Sequence, residues 1–209
     1  MKIIEPSVEI LTPIDGKAIL KMLEAVGRTC YKSEDKIQEG SAEKFIAGIV
    51  KRGHEAVIEH YNITVKFICD RGVTHEIVRH RLASYCQEST RYCNYSSDKF
   101  GTEITVIKPC YLDEGTEGYR MWAGLCSLAE AYYFDLLNYG CTPQEARAVL
   151  PNSLKTELVM TANIREFRHF FKLRCSKAAH PQMREVALML LKEFKERIPV
   201  LFDDIDEGM

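Results

Sequence analysis

Between Ile58 and Cys69 the chain adopts a period of two. Tyr61, Ile63, Val65, Phe67 and Cys69 fall on one side, with Asn62, Thr64 and Lys66 between them. Successive side chains of a strand point to opposite faces, so this segment reads as a strand with one face buried and one face wet. Lys2 to Leu11 alternates more weakly and also looks extended, and Glu103 to Lys108 offers another short strand. The other periodic segments are helical. Asp15 to Gly27 spaces Ile19, Leu20, Met22, Leu23 and Val26 as a helix does, and Ser41 can cap a helix that runs to Arg52 and stops at Gly53. Thr74 reads as the cap of a helix reaching to about Tyr85.

Glu117 to Tyr139 reads as a long helix ending at Gly140, with an apolar face of Trp122, Leu125, Leu128, Ala129, Tyr132 and Leu136. Thr142-Pro143-Gln144-Glu145 has the form of a capping box with proline at the first helical position. Asn163-Ile164-Arg165-Glu166 repeats that logic, and Pro181 opens a last helix whose core face is Val186, Ala187, Leu190, Leu191 and Phe194. Strands and helices are segregated rather than strictly alternating. The expected fold is α+β, one domain over 1–209, with a mainly antiparallel sheet and a long C-terminal helical region.

Composition excludes several classes. With 209 residues, 46% hydrophobic and 28% charged, the chain can bury a sizeable core. A net charge of −2 is no polycation, so any anionic partner must be met by local clusters. The first residues lack the pattern of a signal peptide, and no apolar run is long enough to span a bilayer, so the expected setting is cytoplasmic with no membrane contact. The eight cysteines form no CxxC pair and are expected to serve as small apolar residues rather than as disulfides or zinc ligands.

The stretch from Glu76 to Tyr92 carries most of the chemical information. Arg79-His80-Arg81 sets three basic residues in a row on an expected helix, where they would point in three directions. Gln87, Ser89, Thr90 and Arg91 follow, a run of hydrogen-bonding side chains with a guanidinium fork that suits a phosphate or a pyrimidine edge. His75-Glu76-Ile77-Val78 begins like a zinc-protease H-E-x-x-H, but Arg79 stands where the second imidazole is needed, and no metal is expected. Arg165, Arg168, His169 and Lys172 form one stripe of a second helix, with Phe167, Phe170 and Phe171 on another and Asn163 as cap. A nucleic-acid-binding module using the clusters at 79–81 and 165–174 is the alternative reading, and a nucleotide-binding homologue without catalysis is a second. No G-x-G-x-x-G occurs, so no Rossmann flavin site is expected.

Arg79-His80-Arg81-x-x-Ser84-x-x-x-x-Ser89-x-Arg91-Tyr92 resembles the signature of the flavin-dependent thymidylate synthases, with all seven specified positions in agreement. The likeness extends to Gly53-His54-Glu55, Glu59-His60, Ala146-Arg147-Ala148-Val149-Leu150-Pro151, Asn163-Ile164-Arg165-Glu166 and Leu173-Arg174. Cys86 and Gln87 depart from residues common in relatives, at unspecified positions of the signature.

The resemblance implies a methyltransferase of dTMP biosynthesis that converts dUMP to dTMP. It implies methylenetetrahydrofolate as one-carbon donor, NADPH as reductant and FAD as cofactor. It also implies a homotetramer with active sites at subunit interfaces and no nucleic-acid partner. Carried over by position, Glu76, Arg79, Gln87, Ser89, Thr90, Arg91, Arg147 and Arg174 would bind dUMP. His54, Arg79, His80, Arg81, Asn163, Arg165 and His169 would bind FAD, and Arg174 would be catalytic. Ser89 has no sequence-local base and falls to binding rather than nucleophilic attack.

Overall fold

The computed structural model describes residues 1–97 and 101–206. The N-terminal extended segment is two short strands, β1 (Lys2–Ile4) and β2 (Ser7–Ile10), separated at Glu5-Pro6 where proline has no N–H for a ladder. Helix α1 (Gly16–Tyr31) starts at Asp15, whose carboxylate accepts the Ala18 N–H at 3.1 Å. It runs past Gly27 because that glycine is a packing point rather than a stop: a Cβ there would lie 2.6 Å from the Phe45 ring. Helix α2 (Ser41–Lys51) is capped by Gly40 at φ +78°, not by Ser41, the first helical residue, whose hydroxyl lies 2.7 Å from a Glu24 carboxylate oxygen.

Strand β3 (Asn62–Asp70) matches its alternation, with Ile63, Val65, Phe67 and Cys69 all fully buried. The helix expected from Thr74 to Tyr85 is two elements. Helix α3 (Arg71–Ile77) is capped by Asp70, which accepts the Val73 N–H at 2.9 Å, while Thr74 sits inside it and donates to the Arg71 carbonyl at 2.8 Å. Strand β4 (Ala83–Gln87) follows, its even-numbered residues exposed and its odd-numbered ones half-buried. Arg79-His80-Arg81 therefore lies in the connection between them, and its three side chains diverge because a turn, not a helix, carries them.

Strand β5 (Thr105–Ile107) pairs with β1 in parallel, from Lys2 opposite Thr105 to Ile4 opposite Ile107. Helix α4 (Glu117–Tyr139) is capped by Thr116 and closed by Gly140 at φ +109°, and α5 (Pro143–Ala146) is one turn held by the Thr142–Glu145 capping box. Strand β6 (Lys155–Asn163) was not expected, although Thr156, Leu158, Met160 and Ala162 alternate in burial with their neighbours. Helices α6 (Ile164–Arg174), α7 (Pro181–Arg197) and α8 (Pro199–Phe202) complete the C-terminal helical region.

The main sheet has the order β2-β3-β6-β4. Strands β3 and β6 are antiparallel: the Ile164 N–H donates to the Tyr61 carbonyl, and the Thr64 and Thr161 hydroxyls meet at 2.9 Å. The fold is α+β. By contacts the chain divides into two compact units. Unit 1 comprises Met1–Ser7, Phe67–Arg79 and Cys86–Val159, and unit 2 comprises Val8–Lys66, His80–Tyr85 and Met160–Met209. Among the described residues no helix is long and apolar enough to cross a membrane. None of the eight cysteines, all within the described residues, is in a disulfide.

Unit 1 closes over Tyr133 and Cys126 of α4, which pack with Tyr95, Ile104, Val106, Ala146 and Leu154. The apolar face expected for α4 is buried only in part: Trp122 and Leu136 pack half-buried against this core. Leu125, Leu128 and Tyr132 are 64%, 53% and 55% exposed, because the helix carries a second apolar stripe through Cys126 and Tyr133 that takes the core. Unit 2 is built on aromatics: Phe167, Phe170 and Phe171 of α6 meet Phe194 of α7 and Phe202 of α8, with Phe171 5.2 Å from Phe194 and 5.7 Å from Phe202. Phe171 sits at the centre of that cluster. Phe171→Ala should cost about 3–5 kcal/mol of unfolding free energy by chemical denaturation, and a loss below about 1 kcal/mol would mean the cluster collapses around the gap.

Candidate functional site

Unit 1 holds most of the residues expected at the nucleotide. Glu76 lies half-buried on α3, Arg79 is exposed just after it, and Gln87 closes β4 with its amide nitrogen donating to the Thr74 and Thr156 hydroxyls at 3.0 and 3.3 Å. The chain then folds into a tight turn, in which the Ser89 carbonyl accepts the Tyr92 and Cys93 N–H groups and the Ser89 hydroxyl accepts the Arg91 N–H. That turn buries Thr90, and Arg147 donates to its hydroxyl at 3.1 Å. Arg91 stays exposed, lying over the Tyr92 ring.

Thr90 and Arg147 line a cleft of about 300 Å³ with Asn152, Leu154 and Arg71. Sequence reasoning missed Arg71. Its backbone is tied to the Asn152 and Leu154 carbonyls, and its buried Nη1 has no hydrogen-bond partner. A buried guanidinium nitrogen without an acceptor is costly unless a ligand supplies one. The only sequence signal was a charged residue directly following an apolar strand.

Unit 2 holds the rest. A cleft of about 430 Å³ is lined by Arg81, Asn163, Arg165, His169 and Lys172, with three carboxylates, Glu55, Glu59 and Glu166. Four of the residues expected at a flavin therefore share one cavity. His54 lines an adjoining hollow with Tyr31, Glu55 and Arg165, its Nδ1 2.6 Å from the Tyr31 hydroxyl. Asn163 spends its side-chain oxygen on the Glu166 N–H at 2.9 Å, capping α6 as its sequence position suggested.

The basic stripe on α6 is largely neutralised from within. Arg165 is bound by Glu59 and lies 3.3 Å from Glu55. Arg168, expected on the charged stripe, is 2% exposed. It makes a forked pair with Asp204 at 2.7 and 2.6 Å, and the arginine holds that carboxyl below its usual range. Position 168 faces inward because it shares a side of α6 with Phe171. A surface whose arginines already carry carboxylate partners is poorly suited to a polyanion, which weighs against the nucleic-acid alternative.

Beneath this cleft lies a buried polar chain. His80, 3% exposed, places Nδ1 3.1 Å from Glu166 and receives the Arg174 Nε–H on Nε2 at 3.0 Å. Burial pushes the imidazole down to about 4, and Arg174 and His169 add to the effect. Burial raises the Glu166 carboxyl and, with help from Glu166, lifts the Tyr85 phenol to about 12. His80, Glu166 and His169 have the ligand types and proximity of a metal site, their candidate atoms lying within 4.8 Å of one another. Both His80 nitrogens are already engaged, however, and a guanidinium stands against one of them, which opposes a cation. His75, which begins the H-E-x-x-H-like run, is not part of this trio.

The fold is α+β, and each of the two clefts has arginine side chains in its lining. Residues 17–200 match the family model described as thymidylate synthase complementing protein. The chain is 36% identical over 172 residues to the flavin-dependent thymidylate synthase of Pyrococcus furiosus, covering 82% of this chain and 70% of that one. It is 31% identical over 188 residues to the protein of the same name from Geobacter sulfurreducens, covering 87% and 79%. A crystal structure of a UMP/dUMP methylase from Streptomyces cacaoi bound with 5-Br dUMP superposes with a TM-score of 0.77 at 23% identity, covering 97% and 96% of the two chains, and so shares the fold. The chain belongs to the thymidylate synthase complementing protein family.

The buried imidazole makes stability depend on pH with a definite sign. An unfolded chain protonates residue 80 near 6.5, whereas the folded chain refuses that proton until about 4. Stability should therefore fall as pH drops through this window, by up to roughly 3 kcal/mol. Glu166, raised by burial, works in the opposite sense at the lower end. Denaturation curves for the wild type and His80→Gln from neutral to acid pH should diverge, the wild type losing more; parallel curves would show that His80 is not held neutral.

Proposed function

We propose that this protein methylates dUMP to dTMP for thymidylate biosynthesis, using methylenetetrahydrofolate as one-carbon donor and FAD reduced by NADPH. It would act in the cytosol as a single domain of its family over 1–209. The observation that carries this reading is the convergence of guanidinium groups on two clefts, Arg71 and Arg147 in one, Arg81 and Arg165 in the other. Family membership supports assigning the nucleotide to the first cleft and the flavin to the second.

Nucleotide binding falls to Glu76, Arg79, Gln87, Ser89, Thr90, Arg91 and Arg147, with Arg174 at the uracil. Arg147 is pre-positioned by Thr90, so a phosphate arriving there meets a fork whose orientation is already set. C5 of uracil is a poor nucleophile. A guanidinium donating to the N3–O2 edge stabilises negative charge on the ring and so activates C5, and Arg174 is assigned that task.

The donor set of the larger cleft fits a dinucleotide diphosphate: Arg81, Arg165, His169 and Lys172 are cationic or can become so, and Asn163 opens the helix beside them. His54, Arg79, Arg81, Asn163, Arg165 and His169 would hold FAD, with Arg165 exchanging its carboxylate partners for phosphate oxygens. His80, placed among the flavin residues by resemblance, is enclosed and engaged on both nitrogens. FAD supplies the redox chemistry of the reaction, and the protein binds, orients and polarises.

The exposed stripe of α4 supports a homotetramer with active sites at subunit interfaces. Met121, Leu125, Leu128, Tyr132 and Tyr139 are all more than half exposed and follow heptad-like spacing, a seam that in a lone chain would leave much apolar area in water. Leu125→Glu combined with Leu128→Glu should lower the molar mass seen by light scattering, and an unchanged mass would remove α4 from the subunit contact.

The central test is spectroscopic. The purified protein should show oxidised-flavin absorption that bleaches with NADPH under anaerobic conditions, faster with dUMP present, and should form dTMP when the folate is added. A protein that takes up no added FAD, or that reduces it without ever forming dTMP, would overturn the proposal.

A further inference from the structure

We propose that His80 is a positioning residue for Arg174, holding the guanidinium through Nε2 while Glu166 fixes the imidazole from its other side. The inference rests on the assignment of Arg174 to the uracil. A guanidinium has only donors, so the Arg174 Nε–H must donate and His80 Nε2 must accept. The ring proton then sits on Nδ1 and is donated to Glu166 at 3.1 Å. The tautomer thus follows from the arginine.

Each member of the chain is held in turn. The Tyr85 hydroxyl donates to the His80 carbonyl at 2.9 Å, and the Phe170 and His169 rings stand 4.9 and 5.6 Å from the imidazole. Glu166 accepts the Arg81 backbone N–H, and its own N–H is capped by Asn163. The charged and titratable groups facing His80 are therefore Glu166, His169 and Arg174 from α6, Tyr85 from β4 and Arg81 from the turn.

The neutral imidazole, held between Glu166 and Arg174, orients the guanidinium at Nε without adding a charge of its own. Burial keeps the ring neutral, and protonation would set an N–H against the arginine's own N–H. Fixing Nε decides where the two terminal NH2 groups point, which is where a misplacement would cost turnover rather than affinity.

The test compares wild type, His80→Phe, His80→Gln and Arg174→Ala as purified full-length protein with FAD. Phenylalanine keeps a ring without an acceptor, whereas glutamine restores one acceptor and one donor. For His80→Phe we expect flavin content and NADPH-driven bleaching close to wild type, a dUMP KM within a few-fold, and a kcat for dTMP lowered about 10- to 100-fold. His80→Gln should recover most of that loss. A purely structural role would instead lower flavin content and KM performance together, without rescue by glutamine.

A second readout holds even where His80→Phe fails to fold. The wild-type kcat should fall on the acid side as His80 protonates, and that limb should be missing in His80→Gln. Wild-type kcat in His80→Phe, loss of flavin from it, absence of rescue, or an acid limb that persists in His80→Gln would each overturn the positioning role. A wild-type protein that forms no dTMP, or an Arg174→Ala variant that forms it normally, would overturn the functional reading and this inference with it. An inactive Arg174→Ala beside a fully active His80→Phe overturns the inference alone.

Discussion

The antiparallel pairing of β3 with β6 is the constraint on which the placement of the site residues depends. Both strands end in a residue that caps the helix that follows: Asp70 takes the Val73 N–H and Asn163 takes the Glu166 N–H, each at 2.9 Å. A cap belongs half to the strand and half to the helix, so strand register also fixes where each helix begins. Arg71 opens α3 one residue beyond its cap, and Arg165 and Glu166 open α6 just beyond theirs. A slip of one residue in either strand would reverse its buried face and displace these side chains together.

Charge in this protein is mostly spent internally, and the exceptions are informative. Arg168 and Asp204 close the C-terminal segment onto α6, and Arg165 is bound by two glutamates. Arg174 donates its Nε–H to a neutral imidazole whose other nitrogen faces the Glu166 carboxylate. Arg71 keeps a buried nitrogen with no acceptor at all. Buried guanidinium nitrogens without a hydrogen-bond acceptor occur at Arg71, which lines the smaller cleft, and at Arg168, whose Nε has none although its terminal nitrogens meet Asp204.

Much of this was legible in the residues. The period-two run that became β3, the caps at Asn163 and Thr142, the aromatic stripe of α6 and the core face of α7 rest on local rules, and local structure followed them. What was not legible had a common cause: tertiary contacts chose among options that local rules left open. Ser84-Tyr85-Cys86 could continue a helix until β6 offered it an edge to pair with, and α4 had two apolar stripes of which packing selected the one through Cys126 and Tyr133. Strand β6 itself was overlooked although its alternation was present, because Thr156 is polar and yet buried. The motif residues were found by pattern, but that His80 would turn inward while Arg79 and Arg81 turned outward is a property of the turn and of Glu166 across from it.

The glutamates around Arg165 have a consequence for selectivity. An anion entering the larger cleft competes with Glu59 and Glu55 for the same guanidinium. Exposed ion pairs of this kind are individually weak and screened by solvent, so they do not bar entry. On the proposed reading they would set a threshold by valence: a singly charged ion would recover about what it displaces, whereas a diphosphate that also engaged Arg81, His169 and Lys172 would come out ahead. In the proposed flavin site, carboxylates in the lining would thus discriminate against ions such as chloride and acetate in favour of a multiply charged ligand.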